Sequence, residues 1–587
     1  MRCVACLVAI AAFLRASPAP QQIEGAIAAL QRGDTASAER LLRETLKEHP
    51  QEADAAGLLA VVLDQQNRAP EATPYYQQAL ASGPVGSGLL NNYGNHLLLT
   101  NQPRQARLQF QKAIAIDPEN ANARIQLARL ALEDKQPSEA ATRLNELPPA
   151  LRDRNDVALL RMRTEYGLGH TDAAADLLQH LLSNAQNDPA ALISIGEALS
   201  ATGRYDEAAS VFDAALQIAP NRVDAIYDAG LAASRAGDFA RAEGLLKRAL
   251  ELQPNNPDAS YDLAVVQVKL GHPDEAVATA AHAAQINPAH RELQSLLARI
   301  TARLGYFADS AQAWQRYLKL VPGDTSAQRE YAFVQTALPE RADAGLAGLQ
   351  AYVRAHPNDP IGHYELGTVQ TTTEPEAALK QFSAAIAIKP DLAAVRFARG
   401  VLEYRQGRTS AALDDFAAAM KQAPENPAIL DHLGQAQLSL GHTDEALATL
   451  HRATKLSPDN STLLFHLGRA LKAANKGDEA EAVFARAREL GPARPLATQS
   501  AGLLDYLALP PEEQIARYRA GVERTARDHP DNVEAQIRLL QLLIDDGKTD
   551  DAATLARQIQ SLKPPPSLMQ EAQRTLLAAQ ALGSKPQ

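Results

Sequence analysis

The stretch that decides the fold is residues 258–288, DASYDLAVVQVKLGHPDEAVATAAHAAQINP. Apolar residues recur in it at helical spacing on both sides of Gly271, and Pro288 closes it. A glycine between two such runs predicts that one helix ends in a left-handed turn and a second begins. Asp274 and Glu275 suit the first turn of that second helix, where the helix dipole favours negative charge. The stretch therefore predicts two antiparallel helices joined by a short turn.

The same pattern returns every 34 residues along most of the chain. Prolines end the copies, and the intervals between them are 34 residues or a multiple of 34. These prolines are Pro50, Pro84, Pro118, Pro220, Pro254, Pro288, Pro322, Pro390, Pro424, Pro458 and Pro492. Pro357 is displaced by one residue and Pro530 by four. This period predicts a stacked array of helix pairs, because one pair cannot bury its apolar faces alone.

Small residues at two positions of each copy predict close contact between the helices of a pair. Counted from the proline that ends the preceding copy, position 10 is often glycine and position 22 is almost always alanine, as in Gly230 and Ala242. Position 17 is often the turn glycine, as in Gly237, and Asp238 after it is suited to cap the second helix. The many alanines of the chain therefore follow largely from helix packing.

These residues resemble the tetratricopeptide repeat family. The match is close over residues 258–288 and again over residues 433–458. The resemblance covers about residues 17–564, or some sixteen units. It implies an all-α fold, a right-handed superhelical α-solenoid of stacked helix-turn-helix units. A last helix from Leu568 to Leu582 is expected to cap the array at its solvent-facing end.

The expected organisation has five parts. Residues 1–19 are expected to be a signal peptide, and residues 20–322 an N-terminal array of repeats. Residues 323–357 form an irregular repeat, expected to be a seam or bend, because alanine and proline replace its glycines. Residues 358–564 are expected to form a C-terminal array, followed by a capping helix and tail over residues 565–587.

The start of the chain stands outside the repeat pattern. Arg2 precedes an apolar run from Cys3 to Leu14 and then small residues, which is the layout of a secretory signal with cleavage after Ala16 or Ala19. The alternatives are an ordinary first helix or lipid attachment at Cys6. We expect an exported chain in the periplasm or cell envelope, with no membrane-spanning segment after leader removal, and a cytoplasmic chain if the leader is retained.

Charge, cysteine content and motifs argue against several classes of function. The formal net charge is −11, from 58 basic and 69 acidic residues, which opposes binding to nucleic-acid phosphates. The two cysteines, Cys3 and Cys6, both lie in the leader, so the repeats lack a disulfide framework or a cysteine metal site. The sequence contains neither His-Glu-x-x-His nor Gly-x-Ser-x-Gly. We therefore expect no enzymatic activity, no cofactor and no metal.

Some residues that suggest chemistry coincide with repeat positions. His170, His272 and His442 each lie eighteen residues after their anchor, next to the turn. The tripeptide at 547–549, Gly-Lys-Thr, matches the tail of a phosphate-binding loop, but the glycine required five residues earlier is Leu542. These residues are therefore expected to belong to the turns between helices.

The resemblance implies that the first helix of each unit lines a concave groove for extended peptides or partner segments. Positions four, seven, eight and eleven lie on or near that face. The candidate residues are Asn91, Asn92, Asn95, Tyr227, Asp228, Tyr261, Asp262, Tyr364, Glu365, His432, Phe465 and His466. An aromatic beside an acid is typical of a binding anchor, yet such aromatics also fill gaps between adjacent helices. The acids predict a partner with positive or polar groups.

The leading hypothesis is a non-enzymatic protein–protein interaction scaffold that binds a peptide or partner protein in this groove. One alternative is an accessory subunit of an envelope assembly or polysaccharide-export machine. Another is a substrate-recruiting arm for an enzyme encoded elsewhere. The lysines of the family's peptide-carboxylate clamp and the asparagine ladder of its sugar-transferase arrays are missing from the corresponding positions, so neither ligand class is predicted.

Overall fold

The computed structural model describes residues 21–82, 85–491, 511–545 and 548–562, together with residues 503, 507 and 568. Over these residues the chain is all-α, as predicted, and contains no strand. The expected signal peptide at 1–19 and, apart from Leu568, the expected capping helix and tail at 565–587 lie outside them.

The first compact unit is Met1–Gln253. Its described residues form seven helix pairs and one short linking helix. In chain order these helices are α1 (Gln21–Gln31), α2 (Thr35–Glu48), α3 (Ala53–Gln65), α4 (Ala69–Ala81), α5 (Ser87–Leu99), α6 (Pro103–Ile116), α7 (Ala121–Glu133), α8 (Pro137–Asn145), α9 (Pro149–Arg152), α10 (Asn155–Leu168), α11 (Thr171–Asn184), α12 (Pro189–Ala201), α13 (Tyr205–Ile218), α14 (Val223–Ala236) and α15 (Phe239–Leu252).

The second compact unit is Pro254–Gln587. Among its described residues it has eight helix pairs, α16/α17 to α28/α29 and α31/α32, and one further helix, α30. In chain order these helices are α16 (Pro257–Leu270), α17 (Pro273–Ile286), α18 (Arg291–Arg303), α19 (Phe307–Leu320), α20 (Thr325–Gln335), α21 (Ala342–Ala355), α22 (Pro360–Gln370), α23 (Pro375–Ile388), α24 (Ala393–Arg405), α25 (Thr409–Gln422), α26 (Pro427–Ser439), α27 (Thr443–Leu456), α28 (Ser461–Ala473), α29 (Gly477–Leu490), α30 (Pro511–Asp528), α31 (Val533–Asp545) and α32 (Thr549–Ser561).

A left-handed residue ends the first helix of most pairs, as the turn position predicted. Gly237 has φ 90° and ψ 2° after α14, and Asp238 then caps α15 by accepting a hydrogen bond from the Arg241 amide. Other repeats use a non-glycine residue there at φ between 57° and 60°. Those residues are Asn67, Asn101, Lys135 and Asn475. The repeat therefore imposes the turn even where its residue is not glycine.

The small positions bring the helices of a pair into contact. A Cβ atom added to Gly196 in α12 would lie 2.6 Å from the Phe212 ring of α13, so a larger residue would push the pair apart. Ala208, at position 22 of the same repeat, is fully buried. The predicted close approach is confirmed here, because the second helix fills the space that a side chain would need.

The repeat over residues 323–357 departs from this register. Its first helix, α20, has eleven residues, and six further residues link it to α21. The alanine predicted to be buried, Ala344, is exposed, and Gly345 is buried in its place. A Cβ atom on Gly345 would lie 2.6 Å from the Ala332 carbonyl oxygen. Helix α21 therefore begins one residue later than the second helix of a regular repeat. This extra residue moves the buried small position from 344 to 345 and explains why Pro357 is displaced by one residue.

One contact of the second unit joins residues far apart in sequence. Leu503 and Leu507 are partly buried against the apolar cluster of α16 to α20, which includes Trp314. The Leu503 amide donates a hydrogen bond to an Asp309 carboxylate oxygen at 3.3 Å. Nothing in the 34-residue pattern predicted this contact.

No helix in the described part of the chain has both the length and the apolar character needed to span a membrane.

Candidate functional site

Three successive first helices of the first unit surround one cavity. Its volume is about 450 Å³, and its floor includes Leu181 of α11. Repeat positions four, seven, eight and eleven of α7, α10 and α12 supply most of its wall. These residues are Arg129, Asp156, Leu159, Leu160, Arg163, Ser194 and Glu197. We call it the α10–α12 cavity; it joins the positions predicted to line the groove.

An aliphatic residue occupies position seven of α10, where several later repeats have an aromatic one. Leu159 stands at this position in α10. In α24 the equivalent residue is Phe397, whose ring lies 5.9 Å from that of Phe416 in the second helix of its own pair. The shorter side chain of Leu159 and the small side chains of Ala191 and Ala198 leave the volume open.

Two arginines at position eleven line the cavity without a partner. Arg129 is exposed and Arg163 is half-buried. Neither guanidinium makes a hydrogen bond or ion pair with a residue that the structure describes. Burial lowers the pKa of Arg163; Glu133 opposes this effect and Arg129 adds to it. The positive charge is therefore costly where it stands, and an anion beside it would be stabilising.

Acidic residues lie on the next first helices. Burial, together with the charges of Glu197 and Asp224, raises the pKa of Asp228 in α14 to about 6. Asp224 is already paired with Arg222 at 3.0 Å. Asp228 forms neither a hydrogen bond nor an ion pair within the described ranges. A cation beside Asp228 would therefore be favourable.

In the second unit, two of the candidate residues join neighbouring repeats. Glu365 of α22 is buried, with a carboxylate oxygen 2.9 Å from the Arg329 Nε atom of α20. Burial raises the pKa of Glu365 to about 7, even though Arg329 acts in the opposite direction. His466 of α28 lies 2.7 Å from an Asp431 carboxylate oxygen of α26. Their polar groups therefore link first helices to each other.

Three candidate residues with rings in the second unit contact rings of their own repeat or of the preceding one. The Tyr364 ring lies 6.3 Å from Phe382, and the Phe465 ring lies 5.7 Å from Phe484. Phe465 is nevertheless 49% exposed. The His432 ring stands edge-on to Phe397 at 5.0 Å. These contacts fit gap filling between helices, and Phe465 also keeps a free surface.

The remaining candidates differ in exposure. The Tyr261 ring lies 6.5 Å from that of His290. Asn91 is buried at 3% exposure. Five others are half-buried, namely Asn92, Asn95, Tyr227, Tyr261 and Asp262. A binding role for these residues stays a prediction.

The residues that suggested chemistry lie at turns. His170, His272 and His442 are the N-cap residues of α11, α17 and α27. His170 lies 2.8 Å from a Glu165 carboxylate oxygen of the preceding helix. Lys548 is the N-cap of α32, and Gly547 lies outside the described residues. All three histidines thus lie at the turn position that the repeat pattern predicted.

The sequence candidates did not include Arg129 or Arg163. Both stand at position eleven, which had been assigned to the groove face, so the position was available as a signal. These two arginines matter because neither has a hydrogen-bond or ion-pair partner among the described residues. The spacing of residues in the repeat cannot reveal this.

Two models of protein families match segments of this chain. One model described as tetratricopeptide repeat matches residues 97–163, 233–300 and 403–459. A second with the same description matches residues 23–87, 159–223, 371–427 and 433–495. Together they cover more than half of the chain, so the chain belongs to the tetratricopeptide repeat family. A protein-interaction scaffold is the class of function that this family and fold support, and scaffolds of this family are generally not enzymes.

One relative is the type IV pilus assembly protein PilF of Pseudomonas aeruginosa. It is 33% identical over 130 residues, which cover 21% of this chain and 52% of PilF. The chain thus spans about half the length of this relative.

Solved structures with similar arrays include yeast Tom70 and the Cut9–Hcn1 assembly of APC/C. Tom70 is 15% identical with a TM-score of 0.38, and the match covers 73% of this chain and 96% of Tom70. The Cut9–Hcn1 match is 16% identical with a TM-score of 0.35, and it covers 76% of this chain and 89% of the other.

Proposed function

We propose that this chain is a non-enzymatic scaffold that binds an extended peptide or partner segment along the first helices of its first unit. The observation that carries the proposal is the α10–α12 cavity, where the groove positions of successive repeats converge. Arg129 and Arg163 at the cavity, and Asp228 beside it, have no partner within the described chain, whereas Asp156 of the wall is paired with Arg154. The partner would supply the opposite charges.

Photo-crosslinking in the native cell tests this function. A photoreactive amino acid at Glu197, an exposed residue of the cavity wall, should capture a discrete protein partner. The matched control is Glu251, which is exposed on the second helix α15. Identical adducts from both positions, or none from Glu197, would contradict the proposal.

We further propose that the chain acts in the cell envelope after removal of its leader. The charged, apolar and small-residue layout of residues 1–19 supports export. Mass spectrometry of the chain from native cells should find its first residue at Ser17 or Pro20, in the envelope or periplasmic fraction. An intact Met1 in the cytosolic fraction would contradict export.

A second candidate function is an accessory subunit of an envelope assembly. The similarity to a pilus assembly protein over 130 residues favours it. Removing the chain should then reduce the assembled envelope structure, and the chain should co-purify with components of that assembly. Normal assembly in its absence would leave the simple scaffold as the better proposal.

A further inference from the structure

The α10–α12 cavity combines apolar walls with a positive end. Leu159, Leu160, Leu181 and Ile195 contribute apolar surface, and its volume of about 450 Å³ falls in the range of ligand pockets. Arg163 of α10 also contributes to the wall. The site therefore suits a large apolar side chain that has an anion next to it.

Among the described residues, Arg163 lacks the ion-pair partner that two half-buried arginines on first helices of the second unit have. In the second unit, Arg329 contacts Glu365 at 2.9 Å, and Arg399 lies 2.6 Å from an Asp415 carboxylate oxygen. The acidic residue Glu133 near Arg163 lies beyond ion-pair distance, and Arg129 adds a second positive charge. The two arginines therefore favour a carboxylate from outside the described chain.

The charge at these groove positions changes sign once along the first helices, between α10 and α12. Arg129 lies on α7 and Arg163 on α10, whereas Glu197 lies on α12 and Asp228 on α14. Packed helices are about 10 Å apart, so α10 and α14 are separated by about 20 Å. An extended chain advances about 3.3 Å per residue, so about six residues span that distance.

We propose that the first unit binds an extended partner segment in one orientation, with a carboxylate on Arg163 and Arg129, an adjacent apolar side chain in the α10–α12 cavity, and a basic residue about six positions away at Asp228. This assignment rests on the proposed scaffold function and specifies the chemistry of its ligand. The carboxylate comes from an acidic side chain or from the end of a chain.

Selection of peptides on the full-length protein tests the assignment. Two phage libraries of random twelve-residue peptides serve as probes, one with free C termini and one displayed through its C terminus. The expected sequences have an apolar residue beside an acid, with a lysine or arginine about six positions away. Enrichment only in the free library would identify a terminal carboxylate, and enrichment in both would identify a side chain.

Affinities of the selected peptides for variants provide the quantitative test. Arg163→Met should weaken binding about tenfold or more, since a charge-assisted hydrogen bond is lost. Leu159→Tyr should weaken it about as much by filling the cavity. Asp228→Asn should weaken it about threefold. The matched control is Arg161→Met, because Arg161 lies on the same helix and does not line the cavity.

Two outcomes would overturn the assignment. Peptides that bind Arg163→Met and Leu159→Tyr as well as the natural chain would show binding at another place, which leaves the scaffold function standing. If neither library yields a binder and the photoreactive residue at Glu197 captures nothing, both the assignment and the scaffold proposal fail. Circular dichroism of each variant confirms that a loss of binding is not a loss of fold.

Discussion

The first helices of the two units use half-buried arginines in opposite ways. In the second unit, Arg329 of α20 lies between Asp359 and Glu365, at 3.1 Å and 2.9 Å, so its charge links α20 to both the N-cap and the body of α22. In the first unit, Arg163 makes no ion pair with any described residue. An equivalent face can therefore hold an array together or remain open to a ligand, and the difference lies in which neighbours supply a countercharge.

The two units also differ in the apolar residue at position seven of the repeat. Phe397 fills the space beside Phe416 and His432 in the second unit. Leu159 leaves a cavity at the same position of the first unit. A cavity in a helix interface forfeits packing contacts, and a ligand side chain that filled it would restore them.

The largest expected effect comes from removing the paired arginine. Arg329→Met should reduce the local opening free energy of α20–α22 by about 2–3 kcal/mol, because Asp359 and Glu365 lose their countercharge. Arg163→Met should change that of α10–α12 by less than about 0.5 kcal/mol, since no pair is broken. Hydrogen exchange with mass spectrometry measures both. Equal losses of local stability in the two variants would contradict the idea that Arg329 is paired and Arg163 is not.

Truncation of the residue at position seven should give the next largest effect. Phe397→Ala should lower the local stability of α24–α26 by about 2–3 kcal/mol, because a half-buried ring leaves an empty space. Leu159→Ala should cost about 1 kcal/mol at α10–α12, where the space is already open. The same exchange experiment compares the two. A larger loss at Leu159 would mean that its cavity is closed in solution.

A smaller effect should appear in the dependence of stability on pH. The pKa of Asp228 is raised to about 6 from its ordinary 3.8, so its contribution is full below pH 3.8 and is lost as pH rises through 6. With screening at this half-buried site the loss should be about 1 kcal/mol. Hydrogen exchange of α12–α14, corrected for its intrinsic pH dependence, should show it, and Asp228→Asn should abolish it.

Asp224 is the control for this prediction. Its pKa is lowered, chiefly by the hydrogen bond from Arg222. Its contribution is therefore present above the unfolded pKa and is lost as pH falls. Asp224→Asn should consequently alter the pH profile with the opposite sign to Asp228→Asn. If both variants changed the pH dependence of stability with the same sign, the raised pKa assigned to Asp228 would be contradicted.

The smallest expected effect comes from making the first unit resemble the second. Leu159→Tyr places an aromatic residue where later repeats have one and should stabilise α10–α12 by about 0.5 kcal/mol through burial of the ring. Thermal unfolding with hydrogen exchange of α10–α12 measures this gain. A clear loss of stability would show that the cavity cannot accept an aromatic side chain from any source.

Much of the fold could be read from residues that act locally. Gly237 ends a helix because it accepts a positive φ, and Ala208 permits contact because it is small. The register of residues 323–357 was harder to read. Ala344 kept the expected spacing, but Gly345 is the buried residue, because the link before α21 is longer than the pattern assumes.

The groove could be predicted as a set of positions but not as a site. Position eleven includes Arg163, and position eight includes both Asp228 and Glu365. Glu365 is paired with Arg329 of another repeat, whereas Asp228 stands beside Glu197 and Asp224. Repeat spacing does not reveal which countercharges reach a side chain.

The helix pairs and their 34-residue period follow from the chain alone, because turn residues, caps and small contact positions act within one repeat. Only the tertiary structure decides where that regular surface is open. The α10–α12 cavity needs α7, α10, α11 and α12 together, and it depends on the size of Leu159 and on Arg163 having no partner. Such properties come from packing between repeats, where side chains from distant parts of the sequence compete for the same space and charge.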